Sequence, residues 1–576
     1  MAVGRVELKG DNRRVEDLTA VLTEAGVRRG DLVGLAAGTE GKFAVAVSGR
    51  AGGWDGGLAV ASGGGRDVSA AELASAEERL RPRWAVWSQA VAQALARDGV
   101  RLATCWDVAA VHRLLFGGWR ADPGYAWAYL HGQPPPAPPR AGAEPDLFSV
   151  AEGTPGDPGL AGAAGLADAP PGAAGALAAA RLQLARLGAG SPVSVAHCES
   201  TAELLCAELA ADGLPVSRAV AEELLAGIIG PRPRGPSDAA AIRAARDARV
   251  LRHAPAGMTA DLRSPAQVKT LLAAAGVAVR DTRAWRLEEF RERSPLVAAL
   301  LDWRKAERIA TTYGYPWLDE HLGPDGRLRG SWTGADGAAG RMTASSGLHN
   351  MPAVLRPAVR AQDGHLLVRA DLGQIEPRVL AAVSGDAALA AATAADDMYL
   401  PVAAGLGVDR PTAKVAMIAA MYGQTTGHGG TAGRRMRGAY PVAMGYLDTA
   451  DRSARAGRDL RTYGGRLIQM SSGGSAAHEA ARGRYGRNAV IQGAAAELFK
   501  MWAVTVRART APLGARIVLC LHDELLLHVP AGAAGQAAGL VDGCLAEAAR
   551  RWAPAGAGVR FIADITVAAS WADAKN

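Results

Sequence analysis

The stretch that decides the fold is Leu366-Leu-Val-Arg-Ala-Asp-Leu-Gly-Gln-Ile-Glu-Pro-Arg-Val-Leu380. Leu366 to Val368 read as a strand, Asp371 falls at its end, and the spacing from Gln374 onward is helical after a turn at Gly373. A carboxylate at a strand end is well placed for chemistry; the competing reading is an Asp that caps the next helix. A second stretch is Arg516-Ile-Val-Leu-Cys-Leu-His-Asp-Glu-Leu-Leu-Leu-His-Val-Pro530. Its two apolar runs around His522-Asp523-Glu524 predict a β-hairpin with adjacent carboxylates at the tip. Adjacent anions between buried strands are costly unless a cation or solvent compensates them. A metal site joining Asp523 to Asp371 accounts for both stretches, and an exposed polar turn is the alternative.

Between them lies Arg410-Pro-Thr-Ala-Lys-Val-Ala-Met-Ile-Ala-Ala-Met-Tyr-Gly423. Arg410, Lys414, Ile418 and Tyr422 stand four apart and share one helical face, with two cations at its N-terminal end. Cations there oppose the helix's own dipole but suit a bound triphosphate. Arg484, Asn488 and Gln492 repeat the spacing, either as a strip along nucleic acid or as a solvated polar face.

Charge is distributed unevenly around these segments. The 576 residues carry 64 basic and 57 acidic side chains, net +7. Pro401 to Lys500 alone holds 14 basic against 6 acidic, a local +8. The rest is nearly neutral, so the basic excess is confined as at a polyanion site; a solvated helical surface is the other reading. Only seven cations are Lys (Lys9, Lys42, Lys269, Lys305, Lys414, Lys500 and Lys575), so each invites the question of why it is not Arg.

At about 100 to 200 residues per domain, the length predicts three or four domains. No run of eighteen apolar residues is uninterrupted and Met1 to Arg14 is charged, which argues against a membrane or export segment. The five cysteines are scattered without a CxxC pair, against a disulfide framework and in keeping with a reducing cytoplasm. The first 130 residues alternate strand and helix patterns. Gln133 to Arg140 is proline-rich, and Ala151 to Gly190 is Gly-, Ala- and Pro-rich, reading as a mobile linker or loosely packed helices. Helical patterning dominates from Ser200 to Tyr313, and strands and helices mix again beyond Gly330.

These residues resemble family A DNA polymerases, the group of bacterial DNA polymerase I. Asp371-Leu-Gly-Gln-Ile-Glu-Pro-Arg378 is similar to the family's D-Y-S-Q-I-E-L-R, Arg410, Lys414, Tyr422 and Gly423 to its second motif, and His522-Asp523-Glu524 to its third. Gly340-Arg341-Met342, Asn350-Met351-Pro352, Tyr440-Pro441, Thr462 to Arg466, Gln492 to Ala495 and Trp571 add ordered matches. The resemblance implies a right-hand polymerase fold of palm, fingers and thumb, preceded by an RNase H-like, exonuclease-type α/β domain. It implies residues 1–132 as a degenerate 3′→5′ exonuclease-like domain, 133–190 as linker and 191–334 as thumb and connecting helices. Residues 335–400 would be palm, 401–500 fingers, and 501–576 the second part of the palm.

The resemblance further implies that Asp371 and Asp523 hold two Mg²⁺, or Mn²⁺ in their place, with Glu524 supporting the cluster. Arg410 and Lys414 would grip the dNTP, and Lys414 could protonate pyrophosphate, which a guanidinium in practice cannot. Glu376 is similar to the steric gate against a ribose hydroxyl; Gln374, Ile418 and Tyr422 join the nucleotide site. His522 and Arg341 would face the primer end, Asn350 the duplex, and Arg484, Asn488 and Gln492 the template. Arg378 is expected to secure the palm structurally.

Departures from the family are specific. Ile418 replaces the usual Phe or Tyr, Asp397-Met-Tyr399 replaces Asp-Ile-His, His349 stands near a usual Gln, and short spans around residues 371–440 imply trimmed fingers. No D-x-E occurs before Gly190; Gly38-Thr39-Glu40 has Gly where the exonuclease Asp belongs, and Asp107 reads as a remnant. Asp146-Leu147-Phe148 is similar to a bacterial sliding-clamp docking motif, against which stands an incidental Leu-Phe in a spacer. The expectation is a monomeric, cytoplasmic, nucleoid-associated DNA polymerase acting on primer-template DNA and dNTPs in replication or repair. A single-subunit RNA polymerase is the enzyme alternative, opposed by Glu376 and the His-Asp-Glu order. A degenerate DNA-binding homologue is opposed by retention of both metal carboxylates and Lys414.

Overall fold

The computed structural model describes residues 17–38, 41–47, 68–136, 172–188, 190–423 and 428–575. The clamp-like segment and Glu40 lie outside them. The chain divides into two compact units. The first comprises residues up to Asp212, Ser331–Ser345 and Gly364–Val567; the second comprises Gly213–Gly330, Ser346–Asp363 and Ala568–Asn576.

The first unit begins with a four-stranded sheet: β1 (Leu32–Ala37), β2 (Phe43–Ala46), β3 (Arg83–Val86) and β4 (Cys105–Asp107), in the order β2-β1-β3-β4. Only the β1–β2 pair is antiparallel. Helix α1 (Gly172–Leu187) packs on this sheet through Ala173, Leu177 and Ala180, all buried. It lies in the stretch read as a mobile linker or loosely packed helices, where residues 172–187 form a packed helix rather than linker. Alanine has the highest helix propensity, and Gly34 on β1 leaves room for the Ala173 carbonyl to approach. Helix α2 (Ser191–Asp212) belongs to this unit too, rather than with the helices that follow it.

Asp107 ends β4 and caps the helix Val108–Phe116, its Oδ1 accepting from the Ala110 amide at 2.9 Å. It is 1% exposed, and its second oxygen has no hydrogen-bond partner. Burial, reinforced by the Glu203 carboxylate, pushes its pKa up to about 8. A folded-state pKa above the ordinary carboxylate value means the native state binds the proton more tightly than the unfolded chain. Stability is therefore lost as pH rises from about 4 to about 8. Asp107→Asn keeps the cap and removes the charge. Its expected gain over wild type grows across that window to about 1–3 kcal/mol at pH 8, read from urea midpoints at pH 5 and 8. A gain independent of pH would contradict this.

In the second unit, α3 (Pro236–Leu251) and α4 (Pro295–Thr312) share a core that includes Val250, Leu271 and Leu300. Ser294 starts α4, its hydroxyl accepting from the Val297 amide at 3.3 Å. The C-terminal nine residues return to this unit: Trp571 donates its amide to Val359 O at 2.9 Å, and the Arg356 guanidinium lies 4.5 Å from its ring centroid. The second palm segment, expected to run to residue 576, therefore splits near Ala568.

The rest of the first unit carries the sheet that holds both diagnostic stretches. Strand β5 (His365–Leu372) leads into α5 (Ile375–Ser384), followed by α6 (Arg410–Tyr422), α7 (Pro441–Arg455) and the 35-residue α8 (Ala476–Thr510). Then come β6 (Arg516–Cys520), β7 (Glu524–Pro530), α9 (Ala534–Trp552) and β8 (Ala563–Ala568), with strand order β6-β7-β5-β8. The unbroken apolar runs match strands buried on both faces. By length and composition α8 could cross a membrane, but 89% of its apolar window is buried inside the protein, as in a core helix. Gly486 lets it approach α7, where an added Cβ would collide with Ala454. All five cysteines are buried and free, in line with the absence of a disulfide framework.

Candidate active site

Strand pairing brings the two stretches together. Glu524, first in β7, lies opposite Asp371 near the end of β5, and the Leu372 amide donates to Asp523 O at 2.7 Å. The turn before β7 is closed by the Leu521 amide on Glu524 O at 2.8 Å. The expected hairpin is present, with Asp523 and His522 exposed, Asp371 half-buried and Glu524 buried. Oxygen donors of this kind suit a hard divalent cation, and Mg²⁺ commonly uses only one or two carboxylates together with substrate phosphates. Among the described residues no group of three or more His, Cys, Asp or Glu gathers as a metal site, so the donor set fits only in this two-carboxylate sense.

Arg369 is the residue that sequence reading passed over. It stands two before Asp371, on the same strand face by the period of two, and that spacing was the available signal. Its guanidinium bonds Asp371, donates through Nε to Glu524 Oε1 at 3.0 Å, and reaches Asp564 on β8 at 3.5 Å.

Beside this cluster, Arg341 pairs with Glu376 at 2.8 Å. Burial raises the Glu376 carboxyl, Arg341 opposes the rise and Asp523 adds to it. His522 is solvent-exposed as a residue, yet partial desolvation of its ring lowers its pKa below the ordinary imidazole value, helped by the nearby Arg341 cation. Thus Glu376, Arg341, His522 and Asp523 share one electrostatic neighbourhood. Gln374 takes a left-handed backbone (φ 48°), and its side-chain oxygen accepts from Arg378 at 3.2 Å and the Met398 amide at 3.3 Å. Arg378 is fully buried and donates to the carbonyls of Gly373, Thr393, Ala395, Asp396 and Arg560, the structural setting expected of it.

Helix α6 buries Ala413, Ala416, Met417 and Ala420 and exposes Arg410, Lys414, Ile418 and Tyr422. Asp409 caps it, taking the Thr412 amide at 2.9 Å, and Arg410 is ion-paired to Asp397. Tyr422 bonds Gln492 of α8 at 3.3 Å. On α8 Arg484 is exposed, and the buried Asn488 Oδ1 has no hydrogen-bond partner. Arg487, also unremarked in the sequence, ties α8 to α6 through Ala420 O at 2.6 Å and to Asp448 at 2.5 Å. Only its burial separates it from the exposed basic row.

Asn350 belongs to the second unit, on the wall of a cleft of about 600 Å³. Arg246, Arg249, Arg252, Lys305 and Arg308 also line that cleft.

The sheet and its helices define a mixed α/β polymerase fold. A solved structure of the POL domain of Pol1 from M. smegmatis, in complex with DNA primer-template and dNTP, superposes with a TM-score of 0.69. It is 22% identical and covers 98% of this chain and 100% of that one. Residues 244–573, more than half of the sequence, match DNA polymerase family A, and the chain belongs to that family. Thermostable DNA polymerase I of Thermus filiformis is 30% identical over 294 residues, 46% of this chain and 35% of its own length. DNA polymerase I of Chloroflexus aurantiacus is 31% identical over 276 residues, 42% of this chain and 29% of its own. The chain thus spans about a third of the length of these curated relatives.

Proposed function

We propose that the chain is a template-directed DNA polymerase that extends a primer with dNTPs, with Asp371 and Asp523 as the metal-binding pair. The observation that carries this reading is the register that sets Glu524 against Asp371 and Asp523 beside Leu372 within a family A sequence. Two Mg²⁺ ions bound there would supply charge neutralisation at the transferred phosphoryl group and activation of the primer hydroxyl. Arg410 and Lys414 stand exposed on one face of α6, suited to a triphosphate, and Arg410 exchanges Asp397 for it. Glu376, held by Arg341, is offered as the gate against ribonucleotides. Arg484, Asn488 and Gln492 suit the template strand, and the basic cleft beside Asn350 suits the duplex phosphates. We place the enzyme in the cytoplasm as a monomer that docks on a sliding clamp through Asp146-Leu147-Phe148.

Residues 1–132 are proposed to have lost exonuclease chemistry, because Asp107 is buried as a helix cap rather than presented to solvent. Purified protein with a 5′-labelled primer–template is expected to extend with dNTPs, to extend poorly with rNTPs, and to leave the primer intact without nucleotides. Extension with rNTPs alone would favour the RNA polymerase alternative. Lys414→Arg keeps the cation but not a transferable proton. Its kcat is expected to fall by about 10²-fold with the dNTP KM little changed, in single-nucleotide incorporation. A raised KM at unchanged kcat would assign Lys414 to binding alone.

A further inference from the structure

Arg369 is a cation set inside the carboxylate cluster. Its guanidinium is 7% exposed, and each of its three nitrogens faces a different carboxylate: Asp371, Glu524 and Asp564. The carboxylates differ in access. Glu524 is 2% exposed, Asp371 30% and Asp564 77%. Glu524 is therefore balanced by Arg369 with little room for a solvated ion. Asp371 is shared, one oxygen on the guanidinium while the side chain still reaches solvent beside the exposed Asp523.

We propose that Arg369 is a positioning residue that serves as a tethered counter-ion: it holds Asp371 and Glu524 together in the ion-free enzyme and must yield Asp371 oxygen to an incoming divalent ion. This rests on the reading of Asp371 and Asp523 as metal carboxylates. The physical reason is direct. A fixed positive charge beside a binding carboxylate repels a second cation and satisfies part of the negative charge that would attract it. Two costs follow from the same placement. Divalent-ion affinity is lower than two free carboxylates would give. Without Arg369, the buried Glu524 loses its ion-pair partner at 3.0 Å, and breaking a buried ion pair from one side is strongly destabilising. The tethered cation therefore exchanges metal affinity for order in the ion-free site.

The test is Mn²⁺ binding to the full chain without DNA or nucleotide, measured by the electron paramagnetic resonance signal of free Mn²⁺. Arg369→Ala is expected to tighten Mn²⁺ binding about tenfold relative to wild type, because a like charge is removed. Should that variant not fold, Arg369→Met combined with Glu524→Gln neutralises both partners and is compared with Glu524→Gln alone; the same tightening is expected. Unchanged or weaker affinity in a folded Arg369 variant overturns the proposal. Asp523→Asn separates the two layers. If it weakens Mn²⁺ binding while the Arg369 variants match their references, the metal site stands and the counter-ion role falls. If Asp523→Asn leaves Mn²⁺ binding unchanged in both the wild-type and Arg369→Ala backgrounds, both fall.

Discussion

Asp523→Asn is expected to lower primer extension by about 10³-fold or more while leaving the fold intact. Removing one of two carboxylates that hold a catalytic divalent ion forfeits several kcal/mol of transition-state stabilisation, at about 1.4 kcal/mol per tenfold in rate. The structural cost is small because Asp523 is exposed and the hydrogen bond that locks the strands is donated by the Leu372 amide to its backbone carbonyl, at 2.7 Å, which the substitution leaves in place. Asp371→Asn is expected to lose activity equally, and the double variant little more, because the two residues act as a unit. Single-turnover extension on the three variants, with urea denaturation alongside, checks both halves. A variant retaining a tenth of the wild-type rate would remove Asp523 from the chemistry.

The second large effect is on stability. Arg378 is fully buried and burial draws its pKa down to about 10, so it still carries its charge at neutral pH. It offers that charge to five backbone carbonyls drawn from the β5–α5 turn, residues 393–396 and residue 560. Among the described residues no carboxylate hydrogen-bonds it; the guanidinium ties residues 393–396 to the ends of the paired strands β5 and β8. Arg378→Ala strands those carbonyls and opens a cavity. The expected loss is about 3–5 kcal/mol, read as a shift of the urea midpoint at constant slope. Arg378→Lys is expected to recover only part of it, since one ammonium has three donors and no planar fork. A loss below about 1 kcal/mol for the alanine variant would show that the turn does not depend on this residue.

What the sequence disclosed follows from how locally each feature is encoded. The hairpin around Asp523 was legible because two apolar runs flank three polar residues, and the face of α6 because Arg410, Lys414, Ile418 and Tyr422 keep a four-residue period. Helix α1 was left open between linker and helix because its Ala and Leu content carries high helix propensity while its many small residues give hardly any amphipathic signal. Arg369 was hidden for a different reason. A charged residue inside a strand gains meaning only from the carboxylates that other strands bring to it, and Glu524 and Asp564 lie 155 and 195 residues away. Arg487 looks like its exposed neighbours until packing buries it against Ala420 and Asp448. The return of Trp571 to the second unit is likewise a long-range pairing, with Val359.

Family membership sets the reaction class to be tested, and the Arg369–Asp371 ion pair sets a separate question about ion binding. Polymerisation and its metal dependence are therefore separable measurements.

The most direct test of the central claim is single-nucleotide incorporation by the purified chain on four primer–templates that differ only in the templating base, with Mg²⁺ and one dNTP at a time. The expected result is extension by one nucleotide only where the dNTP complements the template, abolished by Asp523→Asn. Addition regardless of the templating base, or no addition by the wild-type chain on any template, would contradict the assignment of a template-directed polymerase.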